Sequence, residues 1–468
     1  MSSLTAASGK NAVPLALGLW AGAAALVPDN SVKILLVVPV ALAALLCWTA
    51  LRPHRWLIVF FVSLLLLPPL PGPLGDSGVH IAPLFAVLGL FVGLAWAAEW
   101  RSGAHPLFIS AAVFLAVLLE SVGFAALYSG WQIAIGSLLR VALFAVGPYV
   151  LFFSLAGPVD SDPGSFRFAR FLFWTALASA LFACLDFYYQ LPALAGSGEQ
   201  HVWLEEGVFR RAQGVFYDAS TLGNLCAFFL VMIVVSLFRD QEQVPCSRLA
   251  LVLGGIIFSA ALIFSYSRAS LAGLFVAICV LALVRARNLR RSILVFCTTA
   301  ALAAAGVRFA LPSFSASYWD RIGGSFRYFW YAPDNVLSGR LTHWKVLIDF
   351  LSAQPWHAVF GVGYKTLPYS DFIGTTVIAD NTYLSLLVET GLVGLAAFVV
   401  LNILILRTGW RAVHSAVPHT VFFGEWIFCF WCGEIVQMLS GDLITYWRVL
   451  PVYFWVLGVA ARPSGELK

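Results

Sequence analysis

Long apolar runs without strict polar/apolar alternation recur along the 468-residue chain. They lie near 12–28, 32–51, 56–70, 78–98, 106–127, 131–156 and 166–191, and then near 218–238, 249–265, 269–284, 292–311, 381–406, 418–440 and 444–461. A helix needs about 20 apolar residues to cross roughly 30 Å of hydrocarbon, so the pattern predicts about 12–14 spans. The 56–70 run is short and ends in Pro68-Pro69. The stretch 249–284 is broken only by Ser265-Tyr266-Ser267-Arg268. As one helix it would be about 54 Å long, so two short helices joined by a tight turn are expected. An outer-membrane barrel would alternate polar and apolar positions, and this chain does not.

Composition sharpens that reading. Apolar residues make up 61% of the chain and charged residues 11%, with a mean hydropathy of +0.88. A water-soluble globule, a disordered chain or a nucleic-acid-binding domain would need far more polar surface. The expected fold class is all-α: a polytopic transmembrane helical bundle with a large extracytoplasmic loop containing short amphipathic helices. The net charge of +5 says little, but its placement says more. Arg52, Arg55, Arg101, Arg167, Arg170, Arg239, Arg248, Arg285, Arg287, Arg290, Arg291, Arg407 and Arg411 fall in alternate short connections. The positive-inside rule assigns these, and both termini, to the cytoplasm. The opposite face then carries two long connections, 192–217 and 312–380, and the turn at 265–268. Three units follow: N-terminal helices over 1–191, a core over 192–406, and C-terminal helices over 407–468. An amphipathic helix is expected over Gly339–Ser352, with Leu341, Trp344, Ile348 and Leu351 at helical spacing. None of the eight cysteines falls in the two long loops, so no exported disulfide framework is implied, and Cys429 and Cys432 read as packing.

Four polar clusters converge on the loop-bearing face. They are Arg210-Arg211-Ala-Gln213-Gly214; Ser265-Tyr266-Ser267-Arg268; Gly339-Arg340 with Trp344; and Gly361-Val-Gly363-Tyr364, followed by Asp380-Asn381-Thr382-Tyr383 with Glu389, Gly391 and Gly394 behind. In order and spacing, over roughly 205–400, these elements resemble the O-antigen ligase and O-antigen or exopolysaccharide polymerase family. Ligases of that family usually carry His where this chain has Asp380, a departure that points toward a polymerase. The resemblance implies a metal-independent, inverting glycosyltransferase in the bacterial inner membrane, active on the periplasmic side and without a cofactor. It implies a glycan on undecaprenyl diphosphate as donor. The acceptor would be another lipid-linked glycan or, for a ligase, lipid A core. Membrane lipids and a chain-length regulator are the further partners such a role would involve, with no nucleic acid.

Each residue has a chemical reason and a plainer competitor. Guanidinium groups stay protonated and fork onto phosphate oxygens, which makes Arg210, Arg211, Arg268 and Arg340 candidates for the diphosphate; arginines also snorkel to headgroups. Asp380 is the candidate base for the acceptor hydroxyl, with Glu205 and Glu206 as fallbacks; it would equally cap the helix beginning at Asn381. Tyr266, Tyr364, Asn381 and Tyr383 are candidates for binding glycan, and Gly361 and Gly363 would let backbone approach a sugar. His201, His343 and His357 read as surface residues, and most loop aromatics as an interfacial belt. Glu120, Arg140, Asp186 and Glu434 fall within spans, where they need partners or a wet cavity. Arg140 with Glu120 or Asp186 would make a clamp, and a proton or ion path is the alternative. A transporter would favour inverted repeats around a midplane site, and no repeat between the halves stands out.

Overall fold

The computed structural model describes residues 20, 30–70, 80–100, 105–157, 164–192, 200–204, 207–216, 218–285, 289–337 and 339–462. The first expected span, 12–28, and the fallback bases Glu205 and Glu206 lie outside the described residues, apart from residue 20.

The fold is an all-α bundle. In chain order its helices are α1 (Asn30–Ala50), α2 (Arg55–Leu66), α3 (Ala82–Ala95), α4 (Pro106–Ser129), α5 (Trp131–Ala156), α6 (Ser165–Tyr189), α7 (Ala219–Leu237), α8 (Arg248–Phe264), α9 (Arg268–Val284), α10 (Leu289–Ala310), α11 (Pro312–Tyr328), α12 (Pro333–Val336), α13 (Arg340–Ala353), α14 (Trp356–Phe360), α15 (Thr382–Val413), α16 (Pro418–Gln437) and α17 (Leu450–Ala461). A small antiparallel hairpin, β1 (His201–Leu204) and β2 (Gly207–Arg210), pairs His201 with Arg210 in the connection read from sequence as plain loop. Among the described residues, α4, α5, α6, α7 and α15 are long and apolar enough to cross a bilayer, and six shorter apolar helices accompany them. Proline sets some of those shorter lengths. α2 stops ahead of Pro68-Pro69, and Pro451 stands in the first turn of α17.

The apolar run at 249–284 resolves as expected into α8 and α9. Ser265 closes α8, Tyr266 takes a left-handed φ of 56°, and Ser267 caps α9 by accepting from the Ser270 amide at 3.4 Å. α7 sits at the centre, buried on nearly every side, with α8 and α9 against it and α16 and α17 behind. Small residues allow the close approaches. A Cβ on Gly433 would meet the Gly273 carbonyl oxygen at 2.2 Å, so α9 and α16 touch backbone to backbone.

The two ends of the bundle differ in chemistry. At one end Arg239 and Arg285, both beyond helix C-termini, converge on the buried carboxylate of Glu425, with Arg239 Nη2 donating to Oε2 at 2.9 Å and Arg285 Nε to Oε1 at 2.8 Å. The sequence places both arginines in cytoplasmic connections, and they do share one end. At the other end are the starts of α7 and α9 and the long connections.

The in-span charges find partners other than those expected. Asp186 pairs with Arg210 at 2.6 Å, so the Arg140 clamp does not form with it. Glu120 is exposed on the side of α4. Glu434 accepts from Asn224 Nδ2 at 2.5 Å, and Tyr453 donates to Asn224 in turn. Arg140 stacks on Tyr369, its guanidinium carbon 4.4 Å from the ring centroid.

Candidate functional site

At the end opposite Glu425, a cavity of about 510 Å³ opens between the starts of α7, α9, α13 and α15 and the segment before α17. Arg211, Arg268, Arg340 and Asp380 all line it. They arrive from four separate stretches of chain, and local structure explains each arrival.

Arg211 leaves the hairpin at the end of β2. Successive residues of an extended strand point to opposite sides. Arg210 therefore turns inward, donating to Asp186 and to the Leu191 carbonyl at 2.9 Å, while Arg211 turns the other way and donates from Nε to the Ser265 carbonyl at 2.8 Å. Of the adjacent pair only Arg211 reaches the cavity, and Arg210, a candidate ligand by sequence, is held in a buried ion pair instead.

Arg268 is the first residue of α9, and Arg340 the first of α13. Asp334 fixes the second position. It accepts from the amides of Leu341 at 2.9 Å and Thr342 at 3.4 Å, and from the Thr342 hydroxyl at 2.6 Å. That hydroxyl, ahead of the two amides, holds the Asp334 carboxyl below its ordinary range. The Arg340 Nε donates to Asp380 Oδ2 at 3.1 Å.

Asp380 does not cap the next helix. Asn381 does, accepting from the Leu384 amide at 3.0 Å. Asp380 takes a left-handed φ of 44°, and its side chain is 44% exposed toward the cavity. Asn381 and Tyr383 thus serve the fold rather than the cavity wall: Tyr383 donates its hydroxyl to the Ile435 carbonyl at 3.1 Å. Tyr266 and Tyr364 do line the cavity, both largely buried.

Gly361 and Gly363 stand elsewhere than expected. α15 kinks at Gly391 (φ 70°, ψ −173°), which frees the carbonyls of Val388 and Glu389. The amides of Val362 and Gly363 take them at 3.0 and 2.8 Å. A Cβ on Gly361 would lie 2.3 Å from the Glu389 carbonyl oxygen, and one on Gly363 would lie 2.5 Å from the Ala125 backbone. The two glycines let the loop seat on a kinked helix, so their backbone is spent on protein rather than on a sugar.

Other lining residues carry charge that the motifs did not announce. Lys365, next to Tyr364, contacts the carboxylate of Asp442. Arg448, buried, gives its guanidinium to the Leu64 carbonyl at 3.0 Å, the Leu67 carbonyl at 2.8 Å and the Val215 carbonyl, and lies over Phe216. It binds the freed C-terminal carbonyls of α2 and holds that helix to the wall. Arg140 comes from α5, far outside the motif region. Asp218, capping α7 through the Ser220 and Thr221 amides at 2.7 and 3.0 Å, closes the floor.

Chemically, the cavity presents cationic side chains together with the starts of α9 and α13, whose first-turn amides are largely taken by Ser267 and Asp334 but whose dipoles still favour an anion. Carboxylates stand in the same wall. Residues 251–399 match the family model described as O-antigen ligase, which supports the O-antigen ligase and polymerase family and a function of that type in an integral membrane protein. The comparison with curated proteins found no match.

Proposed function

We propose, with the O-antigen ligase domain over residues 251–399 as premise, that the chain polymerises undecaprenyl-diphosphate-linked oligosaccharide units on the periplasmic face of the inner membrane. The observation that carries this reading is one cavity lined by Arg211, Arg268, Arg340 and Asp380. The arginines hold the donor's diphosphate. An acceptor hydroxyl attacks the anomeric carbon, the bond from that carbon to the phosphate oxygen breaks, and the electron pair leaves on the lipid diphosphate. Asp380 takes the hydroxyl proton. A single displacement of this kind inverts the anomeric centre. Charge grows on the leaving diphosphate as the bond breaks, and fixed cations aimed at growing charge lower the barrier without reorganising.

The test is mass analysis of lipid-linked glycans in a strain lacking the protein. Single repeat units should accumulate. Accumulated long chains would instead assign it as a ligase acting on lipid A core, and an unchanged glycan pool would remove it from the pathway.

Asp380→Asn probes the proton step separately. It keeps the size and a hydrogen bond toward Arg340 but removes the basic oxygen. We expect turnover slowed about a hundredfold, the lower end for lost base catalysis, with binding of undecaprenyl diphosphate retained. Unchanged turnover would exclude Asp380 as the base.

A further inference from the structure

Glu389 lines the same cavity but has no part in the scheme above. It is 1% exposed. The backbone amides of Lys365 and Leu367 donate to its carboxylate, yet its Oε2 has no hydrogen-bond partner. A buried carboxylate oxygen left without a donor is costly, and a fold that retains one beside a cavity has a donor to supply from outside.

Its position is informative. Asp380 and Glu389 bracket the segment of α15 ahead of the kink, and the eight residues from Thr382 to Glu389 advance about 10 Å along a helix. Beyond Gly391 the helix still runs from Leu392 to Val413, about 33 Å, enough to cross the hydrocarbon by itself. Glu389 therefore stands at the membrane boundary, on the level of the loop at 361–369 that packs against it. Beside it in the wall are Arg140 and Tyr369, the ring 39% exposed. A carboxylate repels a second phosphate, whereas a carboxylate oxygen, a guanidinium and an aromatic ring together suit a polyhydroxylated ring.

We infer that the Glu389 end of the cavity is a saccharide subsite, in which Glu389 Oε2 accepts a sugar hydroxyl beside the Arg140–Tyr369 pair. This rests on the proposed glycan-transfer reading and adds to it the place where sugar, as distinct from diphosphate, is recognised. The hydroxyl belongs either to the donor glycan or to the acceptor glycan.

The experiment compares three probes on the full-length protein in nanodiscs: undecaprenyl diphosphate, the lipid-linked glycan purified from a strain lacking the protein, and the free oligosaccharide released from it. Glu389→Gln keeps a carbonyl for the Lys365 and Leu367 amides. It should weaken binding of the lipid-linked glycan about tenfold, the scale of one charge-assisted hydrogen bond, while undecaprenyl diphosphate binds as before. Loss of free-oligosaccharide binding as well assigns the acceptor sugar; loss with the lipid-linked glycan alone assigns the donor sugar. Tyr369→Leu, which leaves Glu389 in place, should give the same pattern and serves if Glu389→Gln does not fold. Glycan binding unchanged in the variants overturns the inference, as does an equal loss for undecaprenyl diphosphate, which would make these residues part of the phosphate site. Wild-type protein that fails to bind undecaprenyl diphosphate at all would instead overturn the transfer reading itself.

Discussion

Replacing Arg268 by alanine should abolish glycan transfer while leaving the protein as abundant and as stable as before. The two halves of that expectation have separate physical grounds. Arg268 opens α9, and a cation in the first turn of a helix opposes its dipole. Ser267 already caps the helix through the Ser270 amide, so the arginine is not needed to start it. Its removal leaves that cap in place and relieves about 0.3–1 kcal/mol of unfavourable charge placement at the helix start. The cavity is where that side chain is of use, since it lines the wall with Arg211 and Arg340. Loss of one preorganised contact to charge developing in a transition state costs about 10²–10³ in rate. Arg268→Lys should recover part of it, keeping the charge but losing the fork. The measurement is conversion of lipid-linked glycan in isolated membranes, with the protein quantified in the same samples. Transfer at the wild-type rate in Arg268→Ala would remove this residue from the site and weaken the arginine cluster as the seat of the chemistry.

That prediction was legible in the sequence because the apolar run at 249–284 is too long for one helix, and its only polar break puts Ser267 and Arg268 at a turn. The hydrophobic pattern reveals where a helix must start, and an arginine at that start needs a reason. Arg340 and Asp380 were legible for the same cause, each standing just ahead of an apolar or amphipathic helix. What was not legible is direction. Arg210 and Arg211 are indistinguishable as letters, and only the extended hairpin, with its period of two, sends one to Asp186 and the other to the cavity. Arg140, Lys365 and Arg448 were missed as site residues for a different reason. They come from helices or loops whose sequence looks generic, and they are joined to the site only by packing across long stretches of chain. Arg140 did carry a signal, since a cation within a span needs a wet cavity or a partner. The sequence offered no way to choose Tyr369 as its neighbour over Glu120 or Asp186. Gly361 and Gly363 signal in the sequence that backbone comes close to something, but not that the approaching group is the kinked α15 and the Ala125 backbone.

Gly391→Ala should be severely damaging, removing folded protein as well as activity. The backbone there has φ 70° and ψ −173°, a region that essentially only glycine occupies, at a cost of about 1–3 kcal/mol for other residues. Space is lacking too. The new Cβ would lie 2.0 Å from the Val359 carbonyl oxygen and 2.3 Å from its carbon, and these are backbone atoms that cannot swing aside. Gly361, with φ 78° and ψ −175°, faces the same kink from the loop, so neither partner can retreat without breaking the Val362 and Gly363 amide bonds to Val388 and Glu389. Those bonds seat the loop that brings Tyr364, Lys365 and Tyr369 to the cavity, and the kink sets where Glu389 sits. Straightening α15 would therefore dismantle one wall of the site even in molecules that survive. Gly123→Ala is the matched control: it lies in α4 with nothing within 4 Å of its Cβ, and alanine there should be neutral or stabilising by up to about 1 kcal/mol. Thermal unfolding of detergent-purified protein, followed by size-exclusion, reads both. A Gly391→Ala protein that melts and elongates glycan like wild type would mean that the kink and its glycine lock do not hold the site together.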